Sequence, residues 1–263
     1  MEYDVRNIYR TMSRPYPGDS RFDQRRLYGD LAWIWPLISP PEDYVEEVEQ
    51  LCQVIGRFAR LPVRSLLELG CGGGHNNATL KRHFSVTGVD ISPAMLSLAQ
   101  SLNPEVSYLL GDMRSIRLEQ RFDAVLIADS IAYMCSEEDL LAAFRTAFFH
   151  LKAGGIFVTL AEQTKETFRQ NSTSFSTHRA GDRDITFIEN YFDPDPSDTT
   201  YEMTFLYLIR QAGVLEIETD RHIGGLFPRQ TWPSKLREAG FEVEVELGEL
   251  APQVPLFAGV RLR

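Results

Sequence analysis

The feature that most constrains this chain is a rhythm of short apolar runs and helix-length segments extending from about Arg64 to Ala161. Strands are expected at Ser65–Leu69, Val86–Val89, Val106–Leu110, Ala124–Ala128 and Ile156–Ala161, with helices near residues 75–83, 93–102 and 137–151. Runs this short, bounded by Gly, Pro and Asp, suit strands, and the segments between them are long enough to cross from one parallel strand to the next. The pattern predicts an α/β fold, a Rossmann-like, doubly wound, mostly parallel sheet. Lys152-Ala153-Gly154-Gly155 reads as a basic last turn and glycine cap for the helix over 137–151.

The flanks break the rhythm. Residues 1–60 read as a helical N-terminal segment, in which Ser39-Pro40-Pro41 separates the aromatic Tyr28, Trp33 and Trp35 from an amphipathic run. In that run Tyr44, Val45, Val48, Leu51, Cys52, Ile55 and Phe58 recur at helical spacing. After Ala161, residues 185–193, 200–210 and 214–223 are rich in β-branched and aromatic side chains and are separated by Asp-Pro-Asp-Pro-Ser-Asp and Gln-Ala-Gly, the signature of an antiparallel meander. A helix over Arg229–Ala239, stopped by Gly240, and strands over Phe241–Leu247 and Leu256–Leu262 close the chain. The expected organisation is a cap over 1–60, a Rossmann-like domain over 61–162 and 229–263, and an inserted antiparallel β lid over 163–228. Such an insertion belongs above the carboxyl edge of the sheet, where ligands bind in open α/β folds.

Composition narrows the function classes. A chain of 263 residues can bury a core without covalent help, and Cys52, Cys71 and Cys135 show neither disulfide nor zinc spacing, so no metal site is expected. The opening MEYDVRNIYR has no apolar core of a signal, and no later run is long enough to span a bilayer, so a cytoplasmic protein without a membrane partner is expected. A formal net charge of -10 repels phosphate backbones and argues against nucleic acid as partner. Arg21, Arg25 and Arg26 read as a solvated helix face.

The run Leu66-Leu67-Glu68-Leu69-Gly70-Cys71-Gly72-Gly73-Gly74 ends a strand in a turn that brings bare backbone N–H groups to a helix N-terminus. A dinucleotide fingerprint needs glycine at 75 or 77, and these positions hold His75 and Asn77, which weakens a nicotinamide oxidoreductase reading. The second strand ends in Asp90, whose two oxygens can accept both hydrogen bonds of a ribose diol; the competing reading is an N-cap, for which Ser92 is better placed. The third ends in Gly111-Asp112-Met113 and the fourth leads into Asp129-Ser130-Ile131-Ala132-Tyr133-Met134.

Together, these strand ends over residues 64–162 resemble class I S-adenosylmethionine-dependent methyltransferases. The resemblance implies S-adenosyl-L-methionine as cofactor and S-adenosyl-L-homocysteine as product. It assigns Glu68, Gly70 and Gly72 to the methionine end, Asp90 and Ile91 to the ribose, and Asp112 and Met113 to the adenine. Ala128 would close the site beneath the sulfonium, Tyr28 would fold over it, and Cys71 and Met95 complete the cofactor set.

Downstream, His222-Ile223-Gly224-Gly225-Leu226-Phe227-Pro228-Arg229, Glu238-Ala239-Gly240-Phe241 and Leu256-Phe257-Ala258-Gly259-Val260 are similar to N,N-dimethyltransferases of nucleotide-linked amino sugars, and glycine and sarcosine N-methyltransferases share the plan. The implied reaction is methyl transfer to a small-molecule acceptor, an amine such as an amino sugar. Tyr133 and His222 are the expected catalytic residues, and Trp33, Ser130, Tyr133 and Arg229 the expected acceptor contacts. An O-methyltransferase of a small natural product and a non-catalytic S-adenosylmethionine-binding module are the alternatives, and a homodimer is left open.

Overall fold

The computed structural model describes residues 25–247 and 254–262. At its centre lies β1 (Ser65–Leu69), buried from its second residue onward and paired in parallel with β2 (Ser85–Asp90) and β4 (Phe122–Ile127). With β3 (Ser107–Leu110), β5 (Leu151–Leu160), β10 (Glu242–Leu247) and β11 (Leu256–Val260) they form a seven-stranded sheet in the order β10-β11-β5-β4-β1-β2-β3. Only β11 runs opposite to the other six strands. Strand order reverses between β1 and β4, which opens a crevice at their carboxyl ends.

Period-two alternation assigns the two faces of the sheet to two cores. Leu66, Ala124, Leu126 and Ile156 pack with Val48, Leu51 and Ile55 of α2 (Val45–Phe58). Leu67, Leu69, Val125 and Ile127 pack instead with Leu140, Phe144 and Ala147 of α5 (Glu137–His150) and with Trp232 and Leu236 of α6 (Thr231–Ala239). The crossovers are α3 (His75–Leu80), α4 (Pro93–Leu102) and α5. Gly240, at φ 106°, caps α6.

The expected glycine cap on α5 is not there. The helix ends at His150, Leu151 is already extended, and Lys152–Gly155 belong to β5. His150 fixes that end: its Nδ1 lies 2.8 Å from the Thr146 carbonyl and its Nε2 accepts from the Leu118 N–H at 2.9 Å. Lys152, read from sequence as a helix-end cation, instead reaches Asp123 at 2.8 Å.

The inserted sheet has four strands where three were expected: β6 (Ser172–Ala180), β7 (Arg183–Phe192), β8 (Thr200–Gln211) and β9 (Val214–Gly225), paired in chain order. Its inner face buries Ile185, Phe187, Tyr201, Met203, Phe205, Tyr207 and Ile209 against Leu27, Leu31, Ile34 and Ile38. Leu27, Ile34 and Ile38 come from short helical turns at Arg26–Tyr28 and Ala32–Ile34 and from α1 (Trp35–Ile38), and Leu31 lies between the two turns. The chain enters and leaves this region side by side, the Lys165 N–H donating to the Phe227 carbonyl at 3.0 Å. Among the described residues no helix is long and apolar enough to cross a membrane.

Candidate active site

A cavity of about 660 Å³ lies at the carboxyl edge of the seven-stranded sheet, roofed by β7, β8 and the aromatic lead. The ends of β1 to β4 supply Gly70, Cys71, Gly72, Asp90, Ile91, Asp112, Met113, Ala128, Ser130 and Tyr133 to its wall, and the lead supplies Tyr28. Gly70 sits at φ 75°, and a Cβ there would stand 2.1 Å from Ser130 Oγ, so the β1 end and the turn after β4 can meet only over a bare backbone.

Asp90 ties this edge together. One carboxylate oxygen accepts from Gly72 N–H and the other from Ser92 N–H, both at 2.8 Å, while Ser92 Oγ caps α4 by accepting from Met95 N–H at 3.1 Å. Each Asp90 oxygen keeps a further lone pair for a ligand hydroxyl. Burial raises its pKa, opposed by the N–H donors of Ser92 and Gly72. Arg114 holds the Asp112 carboxyl below the usual range through paired contacts, the shorter at 2.6 Å.

Five expected site residues lie off the cavity wall. Glu68 is buried beneath the glycine turn, where Asn76 Nδ2 donates to it at 2.8 Å and Asn77 Nδ2 donates to its other oxygen; burial pushes its pKa to about 8 despite these donors. Met95 is 1% exposed on the inner side of α4. Trp33 is 39% exposed and carries the Arg183 guanidinium 5.0 Å over its ring; Trp35, two positions on, takes the place on the wall. Arg229 is placed by its backbone N–H, which donates to Glu166 at 2.9 Å. His222 stands fully buried behind Tyr133.

Its surroundings form a chain of short hydrogen bonds. Asp220 Oδ2 lies 2.7 Å from His222 Nε2, His222 Nδ1 lies 2.6 Å from the Tyr133 hydroxyl, and that hydroxyl donates to the Tyr28 hydroxyl at 2.8 Å. Burial opposes ionisation of Asp220, but His222 and the Leu27 N–H hold its carboxyl below the ordinary range. The Arg25 guanidinium lies 5.3 Å over the Tyr133 ring, and Arg26 pairs with Asp30 and Glu218, so the expected solvated basic face is engaged by the fold; Arg21 lies outside the described residues.

Several wall residues were not singled out in the sequence. Asp129 and Glu162 lie two residues past the ends of β4 and β5, line the cavity and share a hydrogen bond; burial, and for Glu162 the charge of Asp129, raises both pKa values. Glu189 of β7 joins them on the wall, and burial raises its carboxyl too. A carboxylate just past a strand end was the signal that found Asp90 and applied equally here. Asp220 was detectable as one half of Asp-x-His on one face of a strand.

His75 provides a test of fit for a cofactor. It is stacked on Trp35 at 5.6 Å and buried, yet its Nδ1 has no partner. It lines the same cavity as the free lone pairs of Asp90, so the wall offers unfilled polar positions to a ligand with hydroxyl and amino-acid groups.

The comparisons with known proteins agree with this geometry. A family described as "Methyltransferase domain" matches residues 66–155. The methyltransferase-family protein YqeM of Bacillus subtilis is 30% identical over 215 residues, 78% of this chain and 84% of that one. This chain belongs to the class I S-adenosylmethionine-dependent methyltransferases. A second relative of this methyltransferase is the dTDP-3-amino-3,6-dideoxy-alpha-D-glucopyranose N,N-dimethyltransferase of Streptomyces fradiae, 27% identical over 82% of this chain and 85% of that one. Among solved structures, S-adenosylmethionine-bound CalS10, an amino pentose methyltransferase from Micromonospora echinaspora, superposes with a TM-score of 0.74 at 25% identity, covering 83% of this chain and 91% of that one.

Proposed function

We propose that this methyltransferase carries a methyl group from S-adenosylmethionine to the amine of a small acceptor, an amino sugar, and releases S-adenosylhomocysteine. The observation that carries the acceptor is the wall formed by Asp129, Glu162 and Glu189, a set of carboxylates facing one cavity. A basic amine entering among these carboxyls would offset the burial and mutual repulsion that raise their pKa values and so favour their ionised forms, a gain that a hydroxyl does not supply. The likeness to enzymes named for amino sugars supports the same class.

Bound, the cofactor supplies a methyl group on a positively charged sulfur. Asp90 and the backbone after Gly70 would take its ribose and amino-acid ends, with Cys71, Ile91, Asp112, Met113 and Ala128 around them. Ser130 and Tyr133, on the turn after β4, would face the acceptor beside Asp129. The structure supports an indirect part for Glu68, which anchors Asn76 and Asn77, and leaves Met95, Trp33 and Arg229 without a place on the wall. Methyl displacement spreads charge, so the protein's tasks are alignment, exclusion of water and handling one proton. Tyr28 and the inner faces of β7 and β8 roof the cavity for the second of these. The protein acts in the cytoplasm on a small molecule, without nucleic acid.

Calorimetric titration with S-adenosylmethionine, S-adenosylhomocysteine and NAD checks the cofactor, with binding of the first two expected. Mass spectrometry then follows dTDP-3-amino-3,6-dideoxy-glucose and its 3-hydroxy analogue. Methylation of the hydroxy sugar alone would remove the amine assignment.

A further inference from the structure

We propose that Asp220 is a positioning residue: through His222 and Tyr133 it prepares the Tyr28 hydroxyl at the cavity wall to accept the proton that the acceptor nitrogen must shed on methylation. The inference rests on the amine reading above.

Four groups in series span the distance from a buried carboxylate to the wall. Asp220 and His222 are shut away from solvent, at 1% and 0% exposure, whereas Tyr133 and Tyr28 line the cavity. Consecutive separations of 2.7, 2.6 and 2.8 Å are all hydrogen-bond lengths. The four residues come from three parts of the chain: β9, the turn after β4, and the turn Arg26–Tyr28. Asp220 also accepts from Leu27 N–H at 2.6 Å, and Ser92 Oγ donates to the Tyr28 carbonyl at 2.5 Å, so the outermost tyrosine is held on both sides.

The series has two settings. With His222 neutral, the Asp220 carboxylate selects the tautomer protonated at Nε2, leaving the Nδ1 lone pair for the Tyr133 proton. Tyr133 then accepts from Tyr28, and a lone pair of Tyr28 is left for the cavity. When the acceptor nitrogen gains its methyl group, its N–H bond breaks and an O–H bond forms on Tyr28. The former Tyr28 proton passes to Tyr133 and the former Tyr133 proton to Nδ1, giving an imidazolium beside the Asp220 carboxylate. In this second setting Tyr133 donates to Tyr28 across the same 2.8 Å contact. One proton is taken up per methyl transferred, and it returns to cavity water by the reverse path after product leaves. The arrangement parallels the general logic of an acid–base histidine oriented by a carboxylate.

A purely mechanical role, in which Asp220 only fastens Leu27, predicts different results. The histidine tautomer is read by ¹⁵N NMR on histidine-labelled protein without acceptor, with His222→Asn identifying the signal. Asp220→Asn should move the proton of neutral His222 from Nε2 toward Nδ1; an unchanged pattern overturns the proposal. With dTDP-3-amino-3,6-dideoxy-glucose as probe, Asp220→Asn and Tyr133→Phe should each lower kcat by about 100-fold with the KM for S-adenosylmethionine unchanged. The double variant should lose no more than the worse single one, because the residues act in series. Multiplied losses, or a kcat loss matched by lost cofactor affinity, would establish the mechanical role instead. If the parent does not methylate this amine, the acceptor reading fails, while the NMR result still decides whether Asp220 sets the tautomer.

Discussion

The Asp90 carboxylate already accepts two backbone N–H groups, so its removal reaches both the ligand and the loop that carries it. Asp90→Ala should weaken S-adenosylmethionine binding by at least about 100-fold, the equivalent of losing one or two hydrogen bonds to a charged group at about 1.5–3 kcal/mol each. The melting temperature without ligand should fall too, and titration with calorimetric melting separates the effects. Glu68 gives a pH signature. Its folded pKa, raised to about 8 mainly by burial, lies above the unfolded value of about 4.3, so the folded state holds this proton more tightly. Its stabilising contribution is therefore complete below about pH 4.3 and is lost as pH climbs through 8. Glu68→Gln should remove that slope, so melting curves of parent and variant should diverge in the variant's favour from pH 5 to 8.5. The place of Asp90 on the cavity wall was legible because a strand end and a carboxylate coincide in the sequence. The pairing of Glu68 with Asn76 and Asn77 was not, because it depends on how tightly α3 folds back on β1.

Between elements, the tightest seam lies where β9 ends against the turn after β4. A Cβ on Gly225 would sit 2.0 Å from the Met134 carbonyl oxygen, so Gly225→Ala must displace the turn that carries Ser130 and Tyr133. Turnover should drop by tenfold or more while S-adenosylmethionine affinity changes by only a few-fold, as read by steady-state kinetics and titration. The parallel strands were legible from their unbroken apolar runs, all six residues of β4 being buried. β6 was not: Ser-Thr-Ser-Phe-Ser-Thr-His-Arg-Ala carries few core side chains because it is an edge strand, paired only to β7. The end of α5 was misread for a different reason. Gly154, at φ 82°, resembles a helix cap in sequence, but the chain is already paired there, its N–H donating to the Arg261 carbonyl at 2.6 Å.

For the whole molecule, the inner and outer faces of the meander pose opposite problems. The inner face is filled by the lead, whereas the outer one leaves Phe175 73% and Ile217 59% exposed, with Leu206 and Leu208 between their strands. A homodimer formed on this face should become monomeric in a Phe175→Lys/Ile217→Lys variant, measured by light scattering, with S-adenosylmethionine affinity retained. A parent that is itself a monomer removes this assembly. The apolar identity of these positions could be read from the sequence, but which face they occupy depends on register, and a shift of one residue would exchange the two. A last consequence follows from the hydrogen bond between Lys165 and Phe227. Because the strands of the roof leave and rejoin the sheet at neighbouring points, they can be exchanged for those of a relative with two splices. Such a graft would alter which molecule is methylated while the machinery that holds the methyl donor stays as it is.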